Sequence, residues 1–207
     1  EAAKLGMDTF VSDAGWFGKR DADRSGLGDW FDNENKLKGG LKPLIDRCRE
    51  RGMKFGLWFE PEMISEDSDL FRAHPDWAIG KDGVAPARGR NQLVLDFTRK
   101  EIVDYVFSVV AKILRENDIS YVKWDMNRSI TEVYSRALPA ERQGEFMHRY
   151  ILGVYDLAGR LTGAFPDVFF EGCAGGGGRF DAGMLYYFPQ IWTSDDTDAY
   201  ERTKIQW

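Results

Sequence analysis

The stretch YVKWDMN, Tyr121 to Asn127, decides the reading of this chain. Val122, Trp124 and Met126 are large and apolar. Tyr121, Lys123, Asp125 and Asn127 can all hydrogen-bond, and two of them carry charge. Strand side chains alternate between faces with period two. As a strand, this stretch gives one face to a greasy layer and sets Lys, Asp and Asn in a row on the other. A charged row on a strand that otherwise reads as core needs a reason.

The flanking sequence alternates between strand-like and helix-like segments. Met7 to Asp13 and Phe55 to Phe59 read as strands, the second stopped by Pro61. Leu41 to Arg51 has helical apolar spacing, with Gly52 as its stop. Thr98 is placed to cap a helix from Arg99 to about Asn117, with Ile102, Val103, Val106, Phe107, Val110, Ile113 and Leu114 as its buried stripe. A second long helix is expected from about Ala140 to Gly163. Strands follow at Val168 to Cys173 and Ile191 to Asp195, with a short helix between them, and another helix starts just before Trp207. Such alternation predicts parallel strands joined by crossovers.

Two architectures compete, an open doubly wound sheet and a (β/α)8 TIM barrel. Neither GxGxxG nor GxxxxGK[ST] occurs, which weakens the nucleotide-binding open sheet. Strand after strand ends in charged or small residues: Asp13; Glu60 and Glu62; Asp125 and Asn127; Glu171 and Cys173; Asp195 and Asp196. Barrel enzymes carry their catalytic groups at these ends. An α/β barrel is therefore expected, incomplete because only five strands are visible.

The 207 residues are 43% hydrophobic and 14% aromatic, enough for a packed core. A net charge of −6 argues against a general nucleic-acid or membrane-surface binder. No apolar run approaches the ~18 residues of a membrane span. Two Cys and two His make a zinc site unlikely on numbers alone. The cluster Asp195, Asp196, Asp198 lacks the Gly and later Glu of a calcium loop. The glycine run Gly175 to Gly178 lacks the Lys-Ser/Thr of a phosphate loop and reads as backbone kept open for close ligand approach. No metal or cofactor is expected.

Asp125 and Asp195, at the ends of different strands, could face each other across one pocket. Glycoside hydrolysis needs such a pair, one carboxylate for the sugar carbon and one acid for the leaving oxygen. Lys123, two residues from Asp125 on the same face, favours an ionised Asp125; Asp196 and Asp198 beside Asp195 favour an acid there. The ordinary alternative is that strand-end carboxylates cap the next helix or pair with Arg. Lys123 could instead form a Schiff base, but Asp125 next to it stabilises the ammonium. Arg90 in GRNQ is either an anion clamp or a salt-bridge donor.

WFEPEM (Trp58 to Met63), KWDMNR (Lys123 to Arg128), EGCAGGGGRFD (Glu171 to Asp181) and WTSDDTDAYERTKIQ (Trp192 to Gln206) resemble glycoside hydrolase family 36, the microbial α-galactosidases. The resemblance runs through nearly all of the chain, in order. It implies a catalytic (β/α)8 barrel between an N-terminal β-sandwich and a C-terminal β-domain, with this chain as a central slice of the barrel. It implies Asp125 as nucleophile and Asp195 as acid/base. It sets Asp13, Trp58, Arg90, Lys123, Asn127, Cys173 and Gly175 around the terminal sugar. The implied activity is cofactor-free, retaining removal of terminal α-galactose from oligosaccharides. The same chemistry would serve an α-N-acetylgalactosaminidase or an α-galactosyl transferase, and a non-catalytic sugar-binding remnant is the alternative of another class. A homo-oligomeric parent and a cytoplasmic location are further expectations, and the isolated 207-residue piece is expected to be inactive.

Two positions depart from the family pattern. Asp13-Ala14-Gly15-Trp16 stands where Asp-Asp-Gly-Trp is expected, and Cys173-Ala174-Gly175 where Cys-Ser-Gly is more usual. The first removes a charged acceptor for a sugar hydroxyl.

Overall fold

The computed structural model describes residues 1–207. Its centre is a five-stranded parallel sheet. The strands are β1 (Thr9–Ser12), β2 (Lys54–Phe59), β5 (Tyr121–Trp124), β6 (Phe169–Gly172) and β7 (Gln190–Ile191), side by side in that order. The omitted numbers belong to a small antiparallel pair, β3 (Met63–Ile64) and β4 (Leu93–Val94), in the long connection after β2. Neighbours in the sheet follow chain order without reversal. A doubly wound sheet reverses at its switch point; this sheet does not. It also does not close: β1 and β7 are its edges, so the barrel circuit is absent from these residues.

The helices are α1 (Lys42–Arg49), α2 (Asp69–Ala73), α3 (Lys100–Glu116), α4 (Phe146–Ala164), α5 (Ala182–Tyr187) and α6 (Ala199–Ile205). The expected stripe of α3 is buried at Ile102, Val103, Val106, Val110, Ile113 and Leu114. Phe107 is only half-buried and lies under the Arg160 guanidinium, 4.1 Å from its ring centroid. Thr98 does not cap α3. Arg99 occupies the cap position without a side-chain bond, and the Thr98 hydroxyl donates to buried Asp96 at 2.6 Å. The expected helix from Ala140 splits into a 3-10 turn, Ala140–Glu145, and then α4.

The alternation in YVKWDMN sorts the layers. Val122 and Trp124 are each 1% exposed and face the helices, where the Trp124 ring meets Phe188 of the α5–β7 link. Strand register carries the opposite face across the sheet: Trp58 pairs with Lys123, and Lys123 with Glu171. Beyond the regular strand the ladder continues, Asp125 N–H donating to the Phe59 carbonyl and Cys173 N–H to the Trp124 carbonyl. Hence Asp13, Trp58, Lys123, Asp125 and Cys173 all fall on one face near the C-terminal strand ends.

Candidate active site

Asp125 is 5% exposed and sits one residue past β5. Its Oδ2 accepts from Trp58 Nε1 at 3.0 Å and Asn127 Nδ2 at 2.7 Å; its Oδ1 accepts from the Met126 amide at 2.8 Å and the Gly175 amide at 3.4 Å. All four partners are N–H donors, an environment built for an acceptor-only carboxylate. Four sequence-predicted residues, Trp58, Asn127, Gly175 and Asp125 itself, therefore meet at one carboxylate.

Lys123 is oriented differently from expectation. Its ion pair is with Asp13, at 3.6 Å, rather than with Asp125, and its Nζ lies 5.1 Å from the Trp192 ring centroid. One cation thus ties β1 to the segment after β7. The Trp192 indole then donates to Asp195 Oδ1 at 2.9 Å. Asp195 is exposed, in the loop beyond β7, not within a strand. Asp196 and Asp198 have local tasks: Asp196 Oδ1 accepts the Asp198 amide, and Asp198 caps α6 through the Tyr200 and Glu201 amides.

The glycine run joins the two halves. Gly175 adopts φ 56° and donates to Asp125, Gly176 (φ 92°) donates to Cys173 Sγ at 3.4 Å, and Gly177 donates to the Thr193 carbonyl at 3.0 Å. A Cβ on Gly176 would stand 3.1 Å from Ser194 Cα, so a larger residue would push Asp125's side of the site away from Asp195's. The loop is anchored at its far end by Arg179, whose guanidinium forks onto Glu62 at 3.0 and 2.8 Å. Glu62 is fully buried and also accepts from Trp124 Nε1 and the Tyr150 hydroxyl, both at 2.8 Å. Between the loops after β5 and β6 opens a cavity of about 310 Å³, lined by Asn127, Arg128, Ser129, Gly175 and Arg179 among others.

Cys173 is 3% exposed, and burial, with the Asp125 charge beside it, pushes its thiol up to about 12. It stays a neutral thiol at physiological pH. Alkylation by iodoacetamide at pH 8 should therefore leave Cys173 unmodified in the native protein; recovery of labelled Cys173 by peptide mass spectrometry, without unfolding, would contradict this environment.

Arg90 forms no ion pair with either carboxylate. It is exposed, has φ 52°, and makes no hydrogen bond or ion pair. Its link to Asp125 runs through Gln92, which sequence reasoning passed over, through Glu60, noted there only as a strand-end carboxylate, and through Asn127. Trp192 was missed as well, although the period-two pattern from Gln190 places it on the inner face beside Cys173.

The whole chain, residues 1–207, matches the family described as Melibiase. The chain belongs to this family, the family 36 group of glycoside hydrolases. It is 59% identical over 207 residues to the bifunctional alpha-galactosidase/sucrose kinase AgaSK of Mediterraneibacter gnavus, covering all of this chain and 21% of that protein. Two crystal structures of alpha-galactosidase AgaA variants from Geobacillus stearothermophilus also match: one in complex with raffinose, TM-score 0.97, and one with stachyose, TM-score 0.96. Each is 53% identical, covering 99% of this chain and 29% or 28% of the AgaA chain. The chain thus spans about a quarter of the length of the relatives it matches.

Proposed function

We propose that this chain carries the catalytic centre of a retaining α-galactosidase that removes terminal α-linked galactose from oligosaccharides of the raffinose type. The observation that carries the reading is the Asp125 carboxylate, buried at a strand end under four N–H donors, with the glycine run joining it through the Gly175 amide and reaching the segment of Asp195 through the Gly177 bond to the Thr193 carbonyl. The AgaA complexes add support. Their raffinose- and stachyose-bound forms carry an Asp-to-Asn and an Asp-to-Ala substitution, at positions as far apart in that chain as Asp125 and Asp195 are here. Removing a catalytic carboxylate is a direct way to keep an intact substrate in a hydrolase. On this reading the open sheet is part of a (β/α)8 barrel, completed together with flanking domains in a longer protein.

The reaction follows from the two carboxylates. An Asp125 oxygen attacks the anomeric carbon as the C–O bond to the leaving sugar breaks, and Asp195, as the acid, gives its proton to the departing oxygen. Water then attacks the same carbon, Asp195 takes its proton, and the bond to Asp125 breaks. Two inversions retain the α configuration. Proton NMR of an aryl α-galactoside digest by the intact natural protein should show α-galactose first; β-galactose as the first anomer overturns the double displacement.

The role of Asp195 is tested by Asp195→Ala. General acid–base catalysis contributes about 10²–10⁴-fold, so kcat/KM on raffinose should fall by that factor. An activated aryl leaving group, needing less protonation, should lose much less. Equal losses on both substrates would remove Asp195 from the acid role.

Ala14 is exposed beside Asp13. A charged hydrogen bond is worth roughly 1.5–3 kcal/mol. Ala14→Asp should accordingly lower KM for galactosides by about tenfold or more in steady-state assays. An unchanged KM places position 14 outside the sugar pocket.

A further inference from the structure

Glu60 follows β2, is 1% exposed, and uses one oxygen twice. Its Oε1 accepts the Asn127 amide at 2.6 Å and Gln92 Nε2 at 2.6 Å. The first partner stands behind the nucleophile, because the Asn127 side chain donates to Asp125 Oδ2. The second closes the turn Gly89-Arg90-Asn91-Gln92, in which the Gln92 amide donates to the Gly89 carbonyl at 3.1 Å. Both central residues are left-handed, Arg90 at φ 52° and Asn91 at φ 59°. Side chains rarely adopt that conformation, and it persists only where surrounding contacts hold it. Gln92, 1% exposed, supplies such a contact, and the turn projects Arg90 outward with its guanidinium free.

We propose that Glu60 is a positioning residue that fixes the Asp125 nucleophile and the Arg90 turn against each other through a single carboxylate oxygen. The proposal rests on the nucleophile role proposed above for Asp125 and on the place at the terminal sugar that the family resemblance implies for Arg90. Arg90 gains its placement from Gln92 rather than from any partner of its own. Asp125 gains its placement from Asn127, whose backbone Glu60 holds. The sugar-gripping arm and the attacking oxygen are then set by one atom between them. The charged groups facing Glu60 are Asp125 and Arg20; burial first, then the Asp125 charge, raises the Glu60 pKa above the ordinary carboxylate range.

The test uses the intact natural protein with Gln92→Met, Glu60→Gln and, as control, Asp125→Ala, assayed on an aryl α-galactoside across pH with melting temperatures recorded. Gln92→Met breaks the bond between the turn and Glu60 while the Asn127 amide still donates to Glu60; it should raise KM roughly five- to tenfold, the worth of one hydrogen bond, with a smaller effect on kcat. Glu60→Gln keeps the shape but removes the charge; it should lower kcat about tenfold or more and displace the acid limb of the kcat/KM profile. If both variants melt like the parent and keep its KM, kcat and pH profile, the coupling is refuted. It is equally refuted if activity falls only in step with melting temperature while KM and the pH profile stay put. Should Glu60→Gln fail to fold, the KM of Gln92→Met decides alone. An active Asp125→Ala would instead overturn the nucleophile assignment, whatever the other two variants do.

Discussion

Asp125→Ala lowers kcat on an aryl α-galactoside by at least about four orders of magnitude, the scale seen when one member of a catalytic unit is removed, while galactose binding weakens far less. The expectation comes from the surroundings of the carboxylate. Trp58, Asn127, Met126 and Gly175 all aim N–H groups at it, and none of them can attack carbon in its place. The substitution also leaves a space with donors pointing inward, which a small anion can occupy. Azide should therefore restore turnover of a substrate with a good leaving group, entering from the side that Asp125 vacated. The product would be the β-galactosyl azide, the inverted configuration, identifiable by NMR coupling at the anomeric proton. Wild-type turnover by Asp125→Ala, or an α-azide from the rescued reaction, would dismiss Asp125 as the nucleophile.

Arg179→Met should be the most destabilising single change among the polar residues discussed. Burial works against the Arg179 charge, and Glu62 more than offsets it, so the guanidinium pKa lies above its ordinary value. Truncating one partner strands a fully buried Glu62 carboxylate. Breaking a buried pair in this way costs about 3–5 kcal/mol, roughly 6–20 °C in Tm for a unit of this size. Tyr150 and Trp124 would still donate to Glu62, so the upper end is not expected. Arg179→Lys retains charge but not the two-pronged geometry and should fall between. Glu62→Leu combined with Arg179→Met removes both charges and should cost less than the two single changes summed. Calorimetry on the intact protein decides it: additive losses, or an Arg179→Met Tm within a degree of the parent, would show that the pair does not anchor the glycine loop.

What the sequence disclosed follows from how local each signal is. The inner and outer faces of β5 were legible because alternation is written in seven consecutive residues, and Val122 and Trp124 are indeed the buried side. Asp125 and Asn127 were legible from the strand-end pattern, whereas Trp58 and Gly175 were expected beside them only through the family resemblance. The Lys123 pairing was not, because sequence proximity to Asp125 said nothing of Asp13 arriving from β1. Thr98 looked like a cap until Asp96, two residues earlier, took its hydroxyl. The Arg90 turn carried no glycine at its two left-handed positions, so the usual turn signal was missing. Its anchor lies thirty-two residues away at Glu60, a separation no local pattern encodes.

The two-residue rhythm of β5 has a further consequence for how this segment can vary. Core and proposed chemistry are interleaved on the same short stretch, Val122 and Trp124 for one, Lys123 and Asp125 for the other. A deletion of one residue in the turn at Asp118–Ser120, if absorbed by sliding the strand, would hand the indole to the solvent side and the ammonium to the apolar side in one step. Substitutions here can be sampled one at a time, but frame changes cannot, so lineages of this segment should accumulate length differences in the loops and almost none on the approach to Tyr121.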